Sequence, residues 1–443
     1  VTARWLLPGL GRLVAAGGVR GLRRVGADRA DWDDGRWRRL VADAFAAAGA
    51  AGAPVEQVVG GSRYLRADVT DADELRRLVA TAAGRLILYF ALPSAVATRS
   101  CRALARVGVP ERTELVLEKP FGTDAASARA LNEVLATLAP ERRIHRVDHF
   151  LGMSTVVNLL GLRFANRIVE PVLTAEHVAA VDVVFDETLA LEGRAGYYDH
   201  AGALVDMIQN HLLQVLALIA MPAPATLTAS AVRARRLELL RQVRVWADDP
   251  VRFSRRARYT AGEIDGRRLP GYVDEPGVDP RRRTETFAEV VLEVTDARWA
   301  GVPFRLRTGK ALGVSREEVV VTFKRPPTLP TGLTGEVRPD RLRIGIGPRR
   351  LALDLTINGP RHPFELDPVS LQATFPPGHL PPYGEVLRGI LHGDPPLSVS
   401  GEAAVRCWEI IEPVRRAWRE NLVPLTEYPA GSTGPEGELP IPA

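Results

Sequence analysis

Along the first 150 residues the apolar positions switch repeatedly between a helical period and short continuous runs. Leu6, Leu10 and Leu13 share one helical face, and Gly17-Gly18 is a natural stop. Residues 22–26 read as a short strand, and 37–48 as a helix with Leu40, Val41 and Phe45 on its apolar side. Residues 73–83 are predicted helical, 85–91 a buried strand, 95–107 a helix and 114–117 a strand. A helix over 124–138 and a strand over 143–147 follow. Such alternation predicts a parallel sheet covered by helices, a Rossmann-like α/β arrangement. In that arrangement a first strand feeds a glycine-rich turn whose helix holds the pyrophosphate. This chain opens inside what reads as that helix, so the first strand and glycine loop are expected to be missing.

From about residue 154 the pattern changes. Residues 201–221 predict one long, buried helix. Beyond residue 285 alternating strands take over: Ala288, Val290, Leu292 and Val294 face one way, and Val319, Val321 and Phe323 repeat the period. Residues 342–346 and 351–357, joined across Pro348-Arg349-Arg350, predict a hairpin. The Arg-, Asp- and Pro-rich stretch 249–283 reads as a surface excursion, and the tail after Tyr428 as extended. The expected organisation is a Rossmann-like domain over 1–148, then a larger α+β domain over 149–443 with helices and a mostly antiparallel sheet.

Composition narrows the function. Of 443 residues 46% are hydrophobic and 25% charged, which excludes disorder for most of the chain. Two cysteines, Cys101 and Cys407, exclude a disulfide scaffold and suit a reducing, cytoplasmic setting. No uncharged apolar run of about 18 residues is present, so no membrane partner is expected. Net charge is +5, but the arginines are interleaved with acids rather than gathered in a stripe, so no nucleic-acid partner is expected either. Anionic small molecules fit this mild positive bias.

Only three of the 58 basic residues are lysines: Lys119, Lys310 and Lys324. Where arginine has replaced lysine so widely, a surviving lysine marks a place needing a compact ammonium. Lys119 follows a predicted strand and Lys310 ends one. Asp148 and His149 end another, where ligands meet open α/β sheets. In the long helix, Asp206, Asn210 and Gln214 fall at i, i+4 and i+8 beside His211, the only group there that titrates near neutrality. Arg29 ends the second strand of the Rossmann pattern, a place where a guanidinium meets a 2′-phosphate on adenosine ribose. Metal-ligand spacing, CxxC and GxSxG are not found, and no metal is expected.

The strings EKPFG, RVDHFLG, GYYDHAGALVDMIQNHLLQ, VPFRLRTGKAL and YPAGSTGP, in this order, resemble the glucose-6-phosphate dehydrogenase family over essentially the whole chain. The resemblance implies hydride transfer from C1 of glucose 6-phosphate to NADP, or to NAD, giving the lactone, in a homodimer or homotetramer. It implies His211 as general base on the C1 hydroxyl and Asp148 as the acceptor of its other N–H. It places His149 on the substrate phosphate, Glu187 and Asp206 on sugar hydroxyls, and Lys310 on the substrate. Lys119 is implied between cofactor and sugar, and Arg29 on the 2′-phosphate. The family usually reads DHYLGK; here Phe150 and Met153 remove a hydroxyl and a cation, and Ser315 stands where a basic residue is common. Asp28 would repel a 2′-phosphate and favour NAD. The alternatives are a catalytically weak paralogue acting as an assembly partner, and a dehydrogenase for an unphosphorylated sugar.

Overall fold

A computed structural model describes residues 2–19, 21–82, 84–393, 398–437 and 439–440. The chain divides into two compact units. The first comprises Val1–Ser154, Pro224–Leu237 and Gly378–Arg406; the second comprises Thr155–Ala223, Glu238–Pro377 and Cys407–Ala443.

The first unit begins with a π-helical turn, Thr2–Leu6, running into α1 (Leu7–Ala15). There follow β1 (Val25–Asp28), α2 (Asp34–Ala47), α3 (Ala53–Gly60), β2 (Arg63–Arg66), α4 (Ala72–Ala80), β3 (Ile87–Phe90), α5 (Ser94–Val107), β4 (Glu114–Glu118), α6 (Ala125–Leu138) and β5 (Ile144–Val147). The strands pair in parallel, β1 with β2, and β3–β4–β5 as a separate three-stranded sheet, with one isolated antiparallel bridge from Arg146 to Val399. The Rossmann-like expectation therefore holds, in two parallel groups. Two elements escaped the sequence reading, α3 and β2, each short and interrupted by polar residues. Ala83, the predicted end of α4, lies outside the described residues. Leu7, Leu10 and Leu13 bury with Val41, Phe45 and Leu387 in one core. Close approach is built into α1, because a Cβ on Gly11 would lie 2.9 Å from the Phe45 ring.

The later elements are α7 (Ser154–Phe164), β6 (Val178–Asp186), α8 (Ala195–Ala203), a π-helix Leu204–Leu212, α9 (Leu213–Ala220), α10 (Ala229–Arg241), β7 (Val243–Val245), β8 (Ser254–Thr260), β9 (Gly262–Ile264), β10 (Arg267–Leu269), β11 (Phe287–Val294), β12 (Phe304–Gly309), β13 (Arg316–Phe323), β14 (Thr334–Gly335), β15 (Arg341–Gly347), β16 (Arg350–Asn358), β17 (Glu365–Thr374), α11 (Pro382–His392), α12 (Gly401–Arg419) and β18 (Leu425–Pro429). The second unit is built on one eleven-stranded sheet. Most of its pairings are antiparallel, including the predicted hairpin β15–β16; β6–β12, β14–β17 and β18–β8 are parallel.

Two expectations are corrected. The stretch 249–283 is no surface excursion throughout: it holds β8, which pairs with both β11 and β18. Its Arg256 is buried with its guanidinium bonded to the Val423 carbonyl, so a charge-rich string became an internal strand. The single long helix is instead α8, a bend, a π-helix and α9. Over Ala195–Ala220 its best 18-residue window has mean hydropathy 1.5 and is 94% buried, so its apolarity is spent on the core.

Candidate functional site

The first unit presents its chemistry at strand ends. Strands β4 and β5 are parallel neighbours with Glu118 opposite Val147, so Lys119 and Asp148 stand one residue beyond in-register C-terminal ends. That is where open α/β sheets bind ligands. Asp148, 1% exposed, begins a 3₁₀ turn, His149–Gly152, and its Oδ1 accepts the Phe150 N–H at 3.0 Å. The His149 ring stacks on Tyr383, with centroids 5.7 Å apart and planes 11° from parallel, while Phe150 meets it edge-on. Tyr383 also donates to Glu118 Oε2 at 3.2 Å, and Tyr89 donates to the other oxygen. Burial holds the Glu118 carboxyl above its ordinary pKa, against the opposing pull of those two phenols. Gly152 is needed where it stands, since a Cβ there would come within 2.4 Å of the Pro382 carbonyl oxygen.

The adenosine end of a dinucleotide can be tested on the same unit. Arg29 follows β1 directly, and the loop behind it is tied by the Tyr64 hydroxyl to the carbonyls of Asp28 and Ala30, at 3.1 and 2.8 Å. Asp28 Oδ1 accepts the Ala30 N–H at 2.9 Å, and Arg36 lies over Trp32 at 4.4 Å. A carboxylate, an exposed guanidinium and an aromatic face at the end of β1 fit an adenosine ribose.

The second unit repeats the strand-end logic on an unrelated sheet. Strands β6 and β12 are parallel, with Asp186 opposite Gly309, so Glu187 and Lys310 again stand one residue past in-register ends. They form an ion pair of 2.6 Å, and Lys310 is only 3% exposed. Its ammonium lies 5.3 Å from the centre of the Tyr198 ring, and its carbonyl accepts the Tyr428 hydroxyl at 2.7 Å. Tyr198 is itself buried, with its hydroxyl among the unpaired buried polar atoms.

Asp206, Asn210 and His211 all lie in the π-helix and are all buried. Winding by i→i+5 bonds sets Asp206 and His211 one turn apart. The expected i, i+4, i+8 face is therefore redrawn: Gln214 belongs to α9 and bonds to Cys407 Sγ at 3.3 Å. Asn210 turns back on its own helix, giving its amide to the Val205 carbonyl and taking the His211 N–H at 2.7 Å. Thus Glu187 meets Lys310, Asp206 shares a helix with His211, Asp148 shares a turn with His149, and Arg29 stands on the other parallel sheet from Lys119.

Sequence reasoning missed Tyr383, Tyr198 and Glu118. Tyr383 comes from a segment more than 200 residues after His149, and no local signal links them. Tyr198 carries one signal in the sequence, its place in GYYDHAG.

Known proteins match this chain over nearly its whole length. The family described as "Glucose-6-phosphate dehydrogenase, NAD binding domain" matches residues 1–158, and the one described as "Glucose-6-phosphate dehydrogenase, C-terminal domain" matches residues 160–439. A glucose-6-phosphate 1-dehydrogenase of Gluconobacter oxydans is 39% identical over 360 residues, covering 79% of this chain and 72% of that protein. One from Dickeya dadantii is 33% identical over 452 residues, covering 98% and 92%. Among solved structures, a glucose-6-phosphate dehydrogenase in complex with glucose 6-phosphate superposes with a TM-score of 0.87 at 27% identity, over 97% of this chain and 92% of the other. The Mycobacterium avium enzyme gives 0.84 at 29%, over 98% and 92%. With both matched regions together spanning nearly every residue, this chain belongs to the glucose-6-phosphate dehydrogenase family.

Proposed function

We propose that the chain oxidises glucose 6-phosphate at C1 to 6-phosphogluconolactone, with NADP as hydride acceptor. The observation that carries this reading is the buried Lys310–Glu187 pair at in-register parallel strand ends, in a chain of this family. In the proposal His211 takes the proton of the C1 hydroxyl, and Asp148 accepts from its other ring nitrogen, fixing the tautomer and stabilising the imidazolium. Glu187 and Asp206 orient sugar hydroxyls, Lys310 holds the substrate oxygen nearest Glu187, and His149 meets the phosphate. Lys119 stands between sugar and cofactor, and Arg29 meets the 2′-phosphate. When bound, the nicotinamide takes the hydride that leaves C1. The proton stays on His211 until solvent removes it, so the reaction balances as lactone, reduced cofactor and one proton.

Asp28 supports NAD as a competing acceptor: its carboxylate is fixed at the end of β1, beside Arg29. The test is formation of reduced nicotinamide from glucose 6-phosphate, with NADP and with NAD, against glucose as control. Turnover only with glucose, or with neither sugar, refutes the proposal; preference for NAD refutes its cofactor.

A further inference from the structure

The π-helix bearing Asp206 and His211 begins at a break. Gly202 adopts φ +68°, ψ 174°, which bends the helix out of α8 and frees the amides beyond it. Amides exposed at such a start need outside acceptors. Both come from one buried residue distant in sequence: the Ala203 N–H donates to the Glu285 carbonyl and the Leu204 N–H to Glu285 Oε1, each at 3.1 Å. A Cβ at position 202 would lie 2.3 Å from that same carboxylate oxygen, so the glycine makes room for it. The neighbouring residues tie in the rest. Thr284 donates to the Asp199 carbonyl in α8 at 2.7 Å. The Thr286 carbonyl accepts the Lys310 N–H at 3.0 Å, and the Thr286 hydroxyl shares a 2.9 Å hydrogen bond with Tyr428, which donates to the Lys310 carbonyl.

We propose that Glu285 is a positioning residue for the reaction: it caps the bent π-helix and, through Thr286, fixes that helix and Lys310 to a single point at the start of β11. This deepens, and rests on, the reading given under Proposed function. No residue within 284–286 is assigned contact with substrate; its influence runs through Asp206, His211 and Lys310. A negative charge at a helix start is favourable, yet burial pushes this carboxyl up to about 7, with Arg256 of β8 and Arg415 of α12 pulling the other way. The Tyr198 phenol of α8 also faces this carboxylate, and it feels Asp206 of the π-helix, Tyr272 and Tyr428 as well. Capping strength therefore changes as this carboxyl titrates near pH 7.

The test uses the full chain with Glu285→Ala, Glu285→Gln and Glu285→Asp. Two readouts are needed: hydrogen exchange at residues 203–212 without substrate, and kcat and KM for glucose 6-phosphate against pH. Glu285→Ala is expected to speed exchange roughly tenfold, the loss of one cap, and to lower kcat by about 10²-fold as the base is displaced, with a smaller rise in KM as Asp206 and Lys310 shift. Glu285→Gln keeps an acceptor without the charge. Its kcat should match the parent below the step near pH 7 and fall short above it, with that step gone. Unchanged exchange and kcat in Glu285→Ala overturn the proposal, as does an equal, pH-independent loss in Ala and Gln. If Glu285→Ala does not fold, Glu285→Asp, which withdraws the carboxylate by one carbon, must show the same exchange and kcat defects or the proposal fails. If the parent chain has no activity, the functional reading fails, while exchange still decides the capping.

Discussion

The two strand-end sites solve one problem with different chemistry. In the first unit Lys119 and Asp148 sit past β4 and β5, and the surroundings are rings and phenols: His149 on Tyr383, Phe150 edge-on, Tyr89 and Tyr383 donating to Glu118. In the second unit Glu187 and Lys310 sit past β6 and β12 in a buried ion pair, with a capped π-helix alongside. An aromatic, hydrogen-bonded site tolerates exchange of its members, because each contact contributes only about 0.5–1.5 kcal/mol. A buried ion pair does not, because removing one partner strands the other charge at about 3–5 kcal/mol. Of the departures from the family pattern, Phe150 and Met153 fall in the tolerant unit and Ser315 in the other.

The largest effect should break the comparison at its most committed residue. His211→Asn is expected to lower kcat by roughly 10²–10⁴ at nearly constant KM, measured as reduced nicotinamide formed per second. A fall below tenfold would move the base elsewhere. Next, Glu187→Gln should cost about 3–5 kcal/mol of stability in a denaturant titration, by leaving the buried Lys310 unpaired. The double variant with Lys310→Met should recover much of that, since neighbours in one ion pair are not additive. Additive losses would show that the pair does not act as a unit.

How far the sequence discloses this contrast depends on the distance between partners. The strand ends of the first unit were legible, because β4, α6 and β5 follow one another within 34 residues and parallel strands leave buried apolar runs such as 115–117. The parallel pairing of β6 with β12 was not, since more than 110 residues separate two strands whose own patterns say nothing of direction. The π-winding was invisible for another reason: burial on nearly every side of 204–220 erases the period that would distinguish 3.6 residues per turn from a wider coil. Glu285, inside a short polar string, gave no sign that its carboxylate would be an internal cap. In the second unit Lys310 announced itself through the scarcity of lysine, and Asp206 and His211 as polar groups in an apolar helix.

Glu285 also sharpens the comparison through stability. Its carboxyl is raised from an ordinary 4.5 to about 7 in the folded chain. Between those values the native state holds a proton that the unfolded state has lost, so stability falls as pH rises from 4.5 to 7 and is level above it. The loss amounts to about 3 kcal/mol. Glu285→Gln should abolish it, making the variant more stable than the parent at about pH 8 yet less active there. Denaturant midpoints across the pH range check the slope, and parallel slopes in parent and variant would deny that Glu285 titrates late.

The smallest effect tests the first unit, where gain rather than loss is informative. Met153 is the residue after the 3₁₀ turn that holds His149, and directly precedes α7. A lysine there would bring an ammonium to the end of the turn, within one residue of the helix start that already favours an anion. A charge-assisted hydrogen bond to phosphate contributes about 1.5–3 kcal/mol, so Met153→Lys should lower KM for glucose 6-phosphate by roughly 10–100-fold and leave KM for glucose unchanged. Phe150→Tyr should add less, because a neutral phenol contributes a weaker hydrogen bond than an ammonium. If the lysine leaves KM unchanged or raises it, phosphate recognition does not run through this turn. The aromatic surroundings of His149 would then be the site's working form rather than a depleted version of a charged one.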